Sequence, residues 1–336
     1  MPLRCLDDAD RSLDASLLTT PEWTALTATN RHVRHLRTTC CGAPLVLKTS
    51  RLGTRFFAHL ALGGCSSGDE GPEHLHLKAL SVAAARVAGW TAEAEVGGAT
   101  PAGEPWRADV LATKGNHRIA IEVQWSPQAD DVTRARQTRY AASGVRGLWL
   151  FRQAVTADAD VPAVRVGGSL ATGLTILGLP AADFLAAVFD RRLRFGFPAG
   201  TAAEVTVAGS VARCWGAECG ALARVVTAVE LTAGGSSCHL PVGELGAAPT
   251  LLGAVTSGLP VDPLRGRLRV GRDGNVAARC FACDRPLTPR PGSAGRFVVA
   301  RVALTVTPAL AAEIVAAPGY APAWGITMVA SARANA

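Results

Sequence analysis

The sequence predicts an α/β fold, a mixed β-sheet flanked by helices, followed by a β-rich C-terminal region. Three observations lead there. Between residues 72 and 152 the order of patterned segments is helix, three strands, helix, strand. The strand segments alternate apolar and polar side chains or run apolar between turn residues. The composition, 49% hydrophobic and 18% charged over 336 residues, is that of a globular chain long enough for two cores.

The elements follow in chain order. Residues 1–68 read as short strands and turns around a Cys/His cluster. Pro72 suits the first position of a helix over Glu73–Ala88, and Glu73 complements its dipole. Strands are expected at Thr91–Val96, Trp106–Thr113 and His117–Ser126. Lys114-Gly115-Asn116 is a tight turn that pairs the last two as a hairpin. A helix over Ala129–Ser143 opens on Asp130 and Asp131 and stops before Gly144. Gly147–Arg152 reads as a buried strand and Ala181–Arg192 as a helix. The domain reading is an N-terminal Cys/His module (1–68), a central domain (69–153), its extension (154–200) and a β-rich domain with a four-Cys site (201–336).

The first residues, Met1–Arg11, carry charges and no apolar run, and no stretch reaches the ~20 apolar residues of a membrane helix. A cytoplasmic protein without membrane contact is expected. The net charge is +7. From Trp23 to Gly68 there is no acid, while Arg31, Arg34, Arg37, Lys48, Arg51 and Arg55 lie there. The stretch reads either as a phosphate-facing patch or as an ordinary solvated face.

Alternation on His117–Ser126 puts Glu122 and Gln124 on one face, with Asp109 of the neighbouring strand in reach. Two carboxylates on adjacent strands of an apolar sheet need a cation or a proton to compensate them. Magnesium or manganese suits such an oxygen-rich site, and Glu73 is placed to complete it. A metal so held orients a phosphodiester and activates water. The alternative is that the two acids pair with Arg107, Arg118 or Arg134.

The run Cys40–Arg152 resembles the competence protein CoiA-like family, whose nuclease-like domain belongs to the PD-(D/E)XK superfamily. The resemblance rests on Phe56-Phe57-Ala58-His59, Glu73-His74 with Lys78, Ala108-Asp109-Val110, Ile121-Glu122-Val123-Gln124 with Ser126, Arg136 with Tyr140, and Leu148-Trp149-Leu150. It implies that Asp109 and Glu122 bind metal, that Glu73 is the helix acid and Lys78 the helix lysine, and that Gln124 stands where many superfamily members have lysine. A glutamine offers only neutral hydrogen bonds, so Lys78 either supplies the missing cation or is a solvated helix lysine. Arg136 and Tyr140, one turn apart, either contact DNA phosphate or the active-site water, or simply pack.

Nine cysteines point to metal rather than disulfides in a reducing compartment. Cys40, Cys41, His59 and Cys65 resemble the zinc module that precedes the nuclease domain in this family, although adjacent Cys40-Cys41 replaces its Cys-x2-Cys start. Cys214-x4-Cys219 with Cys280-x2-Cys283 reads as a zinc-ribbon-like site. Buried free thiols are the alternative for the first group, and thioredoxin-like redox chemistry, without a helix-opening context, for the Cys-x2-Cys pair of the second. The functional expectation is a metal-dependent nuclease, acting on DNA rather than RNA, in uptake, recombination or defence. The competing readings are a non-catalytic nucleic-acid-binding accessory protein and, without a supporting motif, a redox enzyme. The C-terminal domain is a candidate surface for a protein partner or a second copy.

Overall fold

The computed structural model describes residues 2–61, 70–156, 158–259, 267–271, 274–287 and 297–327. The chain divides into two units, Met1–Arg191 and Arg192–Ala336. The first unit opens with β1 (Arg4–Leu6), β2 (Ser12–Asp14), α1 (Thr20–Val33), β3 (Arg37–Thr38), β4 (Leu45–Thr49) and β5 (Arg55–His59). β1 pairs antiparallel with β2 and β3, and β4 with β5 as a hairpin.

Helix α1 departs from the expected strands and turns. Its start signal is a capping box: Thr19 takes the N–H of Glu22, and the Glu22 carboxylate takes that of Thr19. Its apolar stripe is weak, because only Trp23 and Asn30 are buried. Trp23 packs on Phe57 with ring centroids 5.5 Å apart. The Asn30 amide donates to Leu45 O at 2.9 Å and accepts from Leu36 N, which ties the helix to β4. One tryptophan and one satisfied buried amide thus do what an apolar face usually does.

The main sheet follows: α2 (Pro72–Val87), β6 (Thr91–Ala99), β7 (Pro105–Lys114), β8 (His117–Gln124), α3 (Asp130–Ala142), β9 (Arg146–Phe151), β10 (Ala163–Ser169), β11 (Gly173–Ile176), β12 (Leu179–Pro180) and α4 (Ala181–Phe189). Seven strands lie in the order β12-β11-β10-β9-β8-β7-β6. β9 runs parallel to β8 and β10, and the other pairs are antiparallel, so the sheet is mixed as expected. Helix α3 supplies the crossover that the parallel β8–β9 pair requires. Gly115 takes φ 56° in the two-residue connection that sets Lys114 opposite His117. Residues 163–180, read only as an extension, add three strands.

Ala120 and Ala108 join Tyr140 of α3 and Trp149 in one apolar cluster. Strand alternation turns Ile121 and Val123 of β8 to the opposite face, where α2 packs on β6, β7 and β8. The functional groups collect where these two faces meet at one end of β7 and β8.

The second unit comprises β13 (Leu193–Phe195), β14 (Ala202–Arg213), β15 (Leu222–Ala233), β16 (Ser236–Pro241), α5 (Pro249–Gly258), β17 (Arg267–Val270), β18 (Val276–Arg279), β19 (Pro286–Leu287), β20 (Phe297–Thr305), α6 (Pro308–Ala316), β21 (Tyr320–Ala321) and β22 (Trp324–Ile326). An antiparallel sheet β20-β14-β15-β16-β21 packs a Val/Leu core under Leu251 of α5 and Leu310 and Ile314 of α6. The far ends of β14 and β15, with β18 and β19, enclose a separate small core of Ala212, Cys214, Ala223, Val225, Ala278, Cys280 and Leu287. Among the described residues, no helix is long and apolar enough to cross a membrane.

Candidate active site

β7 and β8 hold an antiparallel ladder from Lys114↔His117 to Val110↔Ile121, and there it stops. Continued by one step, it would set Asp109 opposite Glu122. Instead the Asp109 carboxylate accepts the Val123 N–H at 2.8 Å, and the Arg107 carbonyl accepts the Tyr140 hydroxyl at 2.9 Å. The strands fork, and polar side chains from both flanking helices fill the gap.

On the α2 side, Glu70, His74 and Asp109 bring one ligand-type atom each within 4.8 Å of one another. Glu70 lies just before the helix and His74 one turn into it, so both reach the same side. His74 Nε2 is buried and has no hydrogen-bond partner among the described residues. It lies 3.4 Å from Asp109 Oδ2 and 3.9 Å from Glu70 Oε1. Lys78, one further turn on, is fully buried; its ammonium donates to Glu70 at 2.9 and 3.1 Å and to Glu95 at 2.9 Å. Burial opposes the charge on Lys78, but Glu95, Asp109 and Glu70 outweigh it and hold the ammonium above its ordinary value. Burial would likewise raise Asp109; the His74 contact, the Lys78 charge and the Val123 N–H prevail and keep it below the usual carboxylate range.

On the α3 side, the Glu122 carboxylate accepts from Arg136 Nη2 at 2.6 Å and from the Tyr140 hydroxyl. Burial, and next the charge of Asp109, push this carboxyl up to about 8, against the pull of Arg136 and Tyr140. Burial and then the Glu122 charge also raise the Tyr140 hydroxyl. Arg136 lies over Trp149, 5.0 Å from the ring centroid, and its side chain is 29% exposed. Two acids that the continued ladder would set opposite each other are thus compensated separately: Asp109 from α2, Glu122 from α3.

These contacts revise several sequence assignments. The acid that converges on Asp109 is Glu70, not Glu73, which sits half-buried in the first turn of α2 outside that group. Glu70 lies before the patterned helix, and its i, i+4 spacing to His74 is the sequence signal that could have found it. Lys78 is not a solvated helix lysine. Gln124 turns its amide to the Ser126 carbonyl at 2.8 Å rather than into the fork. The arginine that pairs with Glu122 is Arg136. Arg107 pairs with Glu95 and Arg134 with Asp158, while Arg118 donates to the Ser143 carbonyl. The histidine of the α2 group and the strand acid Glu95 were not among the expected site residues.

Residues 70–161 match the family model described as competence protein CoiA, nuclease-like domain. Over that segment the chain is similar to the CoiA nuclease-like domain. No curated protein and no solved structure matches the chain. The CoiA-like segment starts at Glu70 and takes in every residue of the fork.

The cysteine groups lie outside the CoiA-like segment. Cys40 Sγ and Cys41 Sγ lie 3.4 and 3.3 Å from His59 Nε2, and 3.8 Å from each other, so the adjacent pair does converge. Gly42, at φ 69°, turns the chain after the pair. Cys65, the expected fourth member, lies outside the described residues. In the second unit Cys214, Cys219, Cys280 and Cys283 gather within ligand range, with Cys214–Cys283 at 3.4 Å and Cys219–Cys280 at 3.7 Å. Burial raises the Cys280 thiol, but the N–H groups of Cys283 and Ala282 and its sulfur neighbours lower it to about 7. Both groups can hold a zinc ion, and the four-thiol set matches a closed structural site.

Proposed function

We propose that the CoiA-like segment is a PD-(D/E)XK-type, metal-dependent nuclease, and that DNA is its substrate. The observation that carries this reading is the buried, unpartnered His74 Nε2 between the Glu70 and Asp109 carboxylates. A buried imidazole nitrogen without a partner is costly. A cation beside it would satisfy the nitrogen that lies between the two carboxylates, so these residues fit a divalent ion such as magnesium or manganese. Bound there, the ion would supply Lewis-acid polarisation of a phosphate and an activated water.

The chain's own groups divide the remaining work. Asp109 stays ionised under the Val123 N–H and His74. Lys78 offsets the acids from inside and fixes Glu70. Glu122, pushed up to about 8, is suited to hold a proton near neutral pH. Arg136, partly exposed, presents a fixed cation toward solvent beside Glu122, where a phosphate can meet it. The acid-free stretch from Trp23 to Gly68, whose Arg31, Arg34, Arg37, Lys48 and Arg51 are exposed, favours a polyanionic substrate.

One observation favours the accessory reading instead. Arg136 and Tyr140 already engage the Glu122 carboxylate, as they would in a protein that kept the fold and binds nucleic acid without cutting it. Incubating the purified protein with labelled single- and double-stranded DNA and RNA, in magnesium, manganese or chelator, separates the two. Metal-dependent cleavage of DNA that disappears in Asp109→Ala and Glu70→Ala is the expected result. Binding without cleavage in any metal establishes the accessory reading, and cleavage that survives both substitutions removes the fork from the reaction.

A further inference from the structure

The chain's positive charge is not shared evenly between its two units. Residues 192–336 hold fourteen arginines, no lysine and eight acids, so nearly all of the net charge of +7 belongs to the second unit. Part of that charge lies on one face of its sheet. Val211 and Arg213 of β14 stand opposite Arg224 and Leu222 of β15, and strand alternation puts all four on the same side. All four are exposed, while Ala212 and Ala223 between them are buried. The Arg224 guanidinium lies over Phe297 of β20, 5.8 Å from the ring centroid. Arginines and apolar side chains thus interleave on an exposed surface.

Two residues past Arg213, beyond the buried Cys214, comes Trp215, which is 64% exposed. It is nevertheless held in place. Its indole N–H donates to the Pro286 carbonyl at 3.0 Å, and the Arg285 guanidinium lies over its ring, 5.1 Å from the centroid. An indole fixed in this way has little freedom left to lose, while the open part of its ring meets water at a cost that a flat apolar partner would remove. The cations beside it are available as well. Arg213 is steadied by the Gly220 carbonyl at 3.0 Å. No carboxylate among the described residues pairs with Arg213 or Arg285. Asp284, the neighbour of Arg285 in the chain, pairs with Arg279 at 3.3 Å instead, and Glu218 is exposed in the turn between Cys214 and Cys219.

We propose that this face of the second unit binds single-stranded nucleic acid, with Trp215 stacking an unpaired base while Arg213 and Arg285 meet the phosphates beside it. Positive charge alone would draw any polyanion, a duplex or an acidic protein included. The fixed indole decides the class. The flat face of a base is open to stacking only where the strand is unpaired, and an aromatic ring accepts every base because each has such a face. Val211 and Leu222, among the arginines, suit the faces of neighbouring bases. The surface lies outside the CoiA-like segment, and the inference does not rest on the nuclease reading.

The test uses the full chain loaded with zinc, without added magnesium or manganese. Fluorescence anisotropy follows labelled oligothymidylate, oligouridylate, a DNA duplex and polyglutamate, for wild type, Trp215→Ala, Trp215→Phe and Arg213→Ala. Wild type should bind both single strands more tightly than the duplex or polyglutamate. Trp215→Ala should weaken single-strand binding about tenfold or more, and Trp215→Phe, which keeps a stacking ring, only about threefold or less. Arg213→Ala should weaken binding and reduce the slope of log affinity against log salt by about 0.7. If Trp215→Ala sheds its zinc, read by atomic absorption, Trp215→Phe and Arg213→Ala carry the decision. Single strands that do not bind, or that bind Trp215→Ala and Arg213→Ala like wild type, would overturn the proposal. Tighter binding of the duplex or of polyglutamate would also overturn it and make the face a dock for duplex or for an acidic protein.

Discussion

The fork of the first unit and the four-cysteine group of the second both gather ligand-type side chains, but they do so by opposite means. At the fork the groups are chemically mixed: carboxylates, an imidazole, an ammonium, a guanidinium and a phenol. They come from strands and helices that sequence order separates, and each acid has its own counter-charge. Asp109 is held ionised and Glu122 is pushed toward its neutral form, although the ladder would set them face to face. Divergent protonation of neighbouring acids is a mark of a site where protons and charges are moved. The cysteine group is chemically uniform, draws on two short turns and lies beside a small core of its own. Within it the N–H groups of Cys283 and Ala282 favour the Cys280 thiolate, while Cys214 is raised to about 12. Uniform soft ligands closing on one point build a structural site, which holds a fold rather than running a reaction.

Substitutions should divide along that line. The largest effect is expected from Asp109→Ala, which should lower the cleavage rate at least about a hundredfold while the zinc content of the second unit stays unchanged. Cys280→Ser should show the reverse. Zinc content, read by atomic absorption, should fall by one ion per chain, the second unit should melt earlier, and cleavage by the first unit should persist. A Cys280→Ser protein that keeps its zinc and its melting curve would erase the contrast.

Glu70 and Glu73 sharpen it. Glu70→Ala should cost at least about tenfold in rate, whereas Glu73→Ala should stay within about twofold of wild type. Equal losses would return the first turn of α2 to the site. Smaller still is the pH effect of Glu122. Its carboxyl moves from an ordinary 4.5 in the unfolded chain up to about 8 in the native one. Between those values the native state therefore holds the extra proton, and stability should fall as pH rises through that window. Glu122→Gln should flatten this part of the melting-temperature profile, and an unchanged slope would assign the titration elsewhere.

Much of the central sheet was legible because patterns of period 2 and 3.6 are local. β7, β8, α3 and β9 stand within a few residues of where alternation, a Gly-Asn turn and helix-end signals set them. Helix α1 was missed because tertiary contacts of Trp23 and Asn30 replace the apolar stripe that identifies helices, although the Thr19–Glu22 box was present. Alternation put Glu122 and Gln124 on one face with Asp109 in reach; the structure instead turns Asp109 toward α2 and Glu122 toward α3. The break in the ladder was not legible, because it depends on Asp109 taking a backbone N–H and on Glu95 adopting a left-handed turn. Those non-local choices move one acid toward each helix. The same limit explains Glu70: its partners Lys78 and Asp109 come from a helix and a strand, and no periodic pattern includes it. The cysteine pairs were legible from spacing, since close Cys pairs leave few other arrangements.

The direct test of the fork is a calorimetric titration of Mn2+ into the zinc-loaded protein, with Asp109→Ala and His74→Ala alongside. A saturable site in the wild type that either substitution abolishes is the predicted result. No binding, or binding unchanged in both variants, would contradict the claim that Glu70, His74 and Asp109 hold a divalent cation.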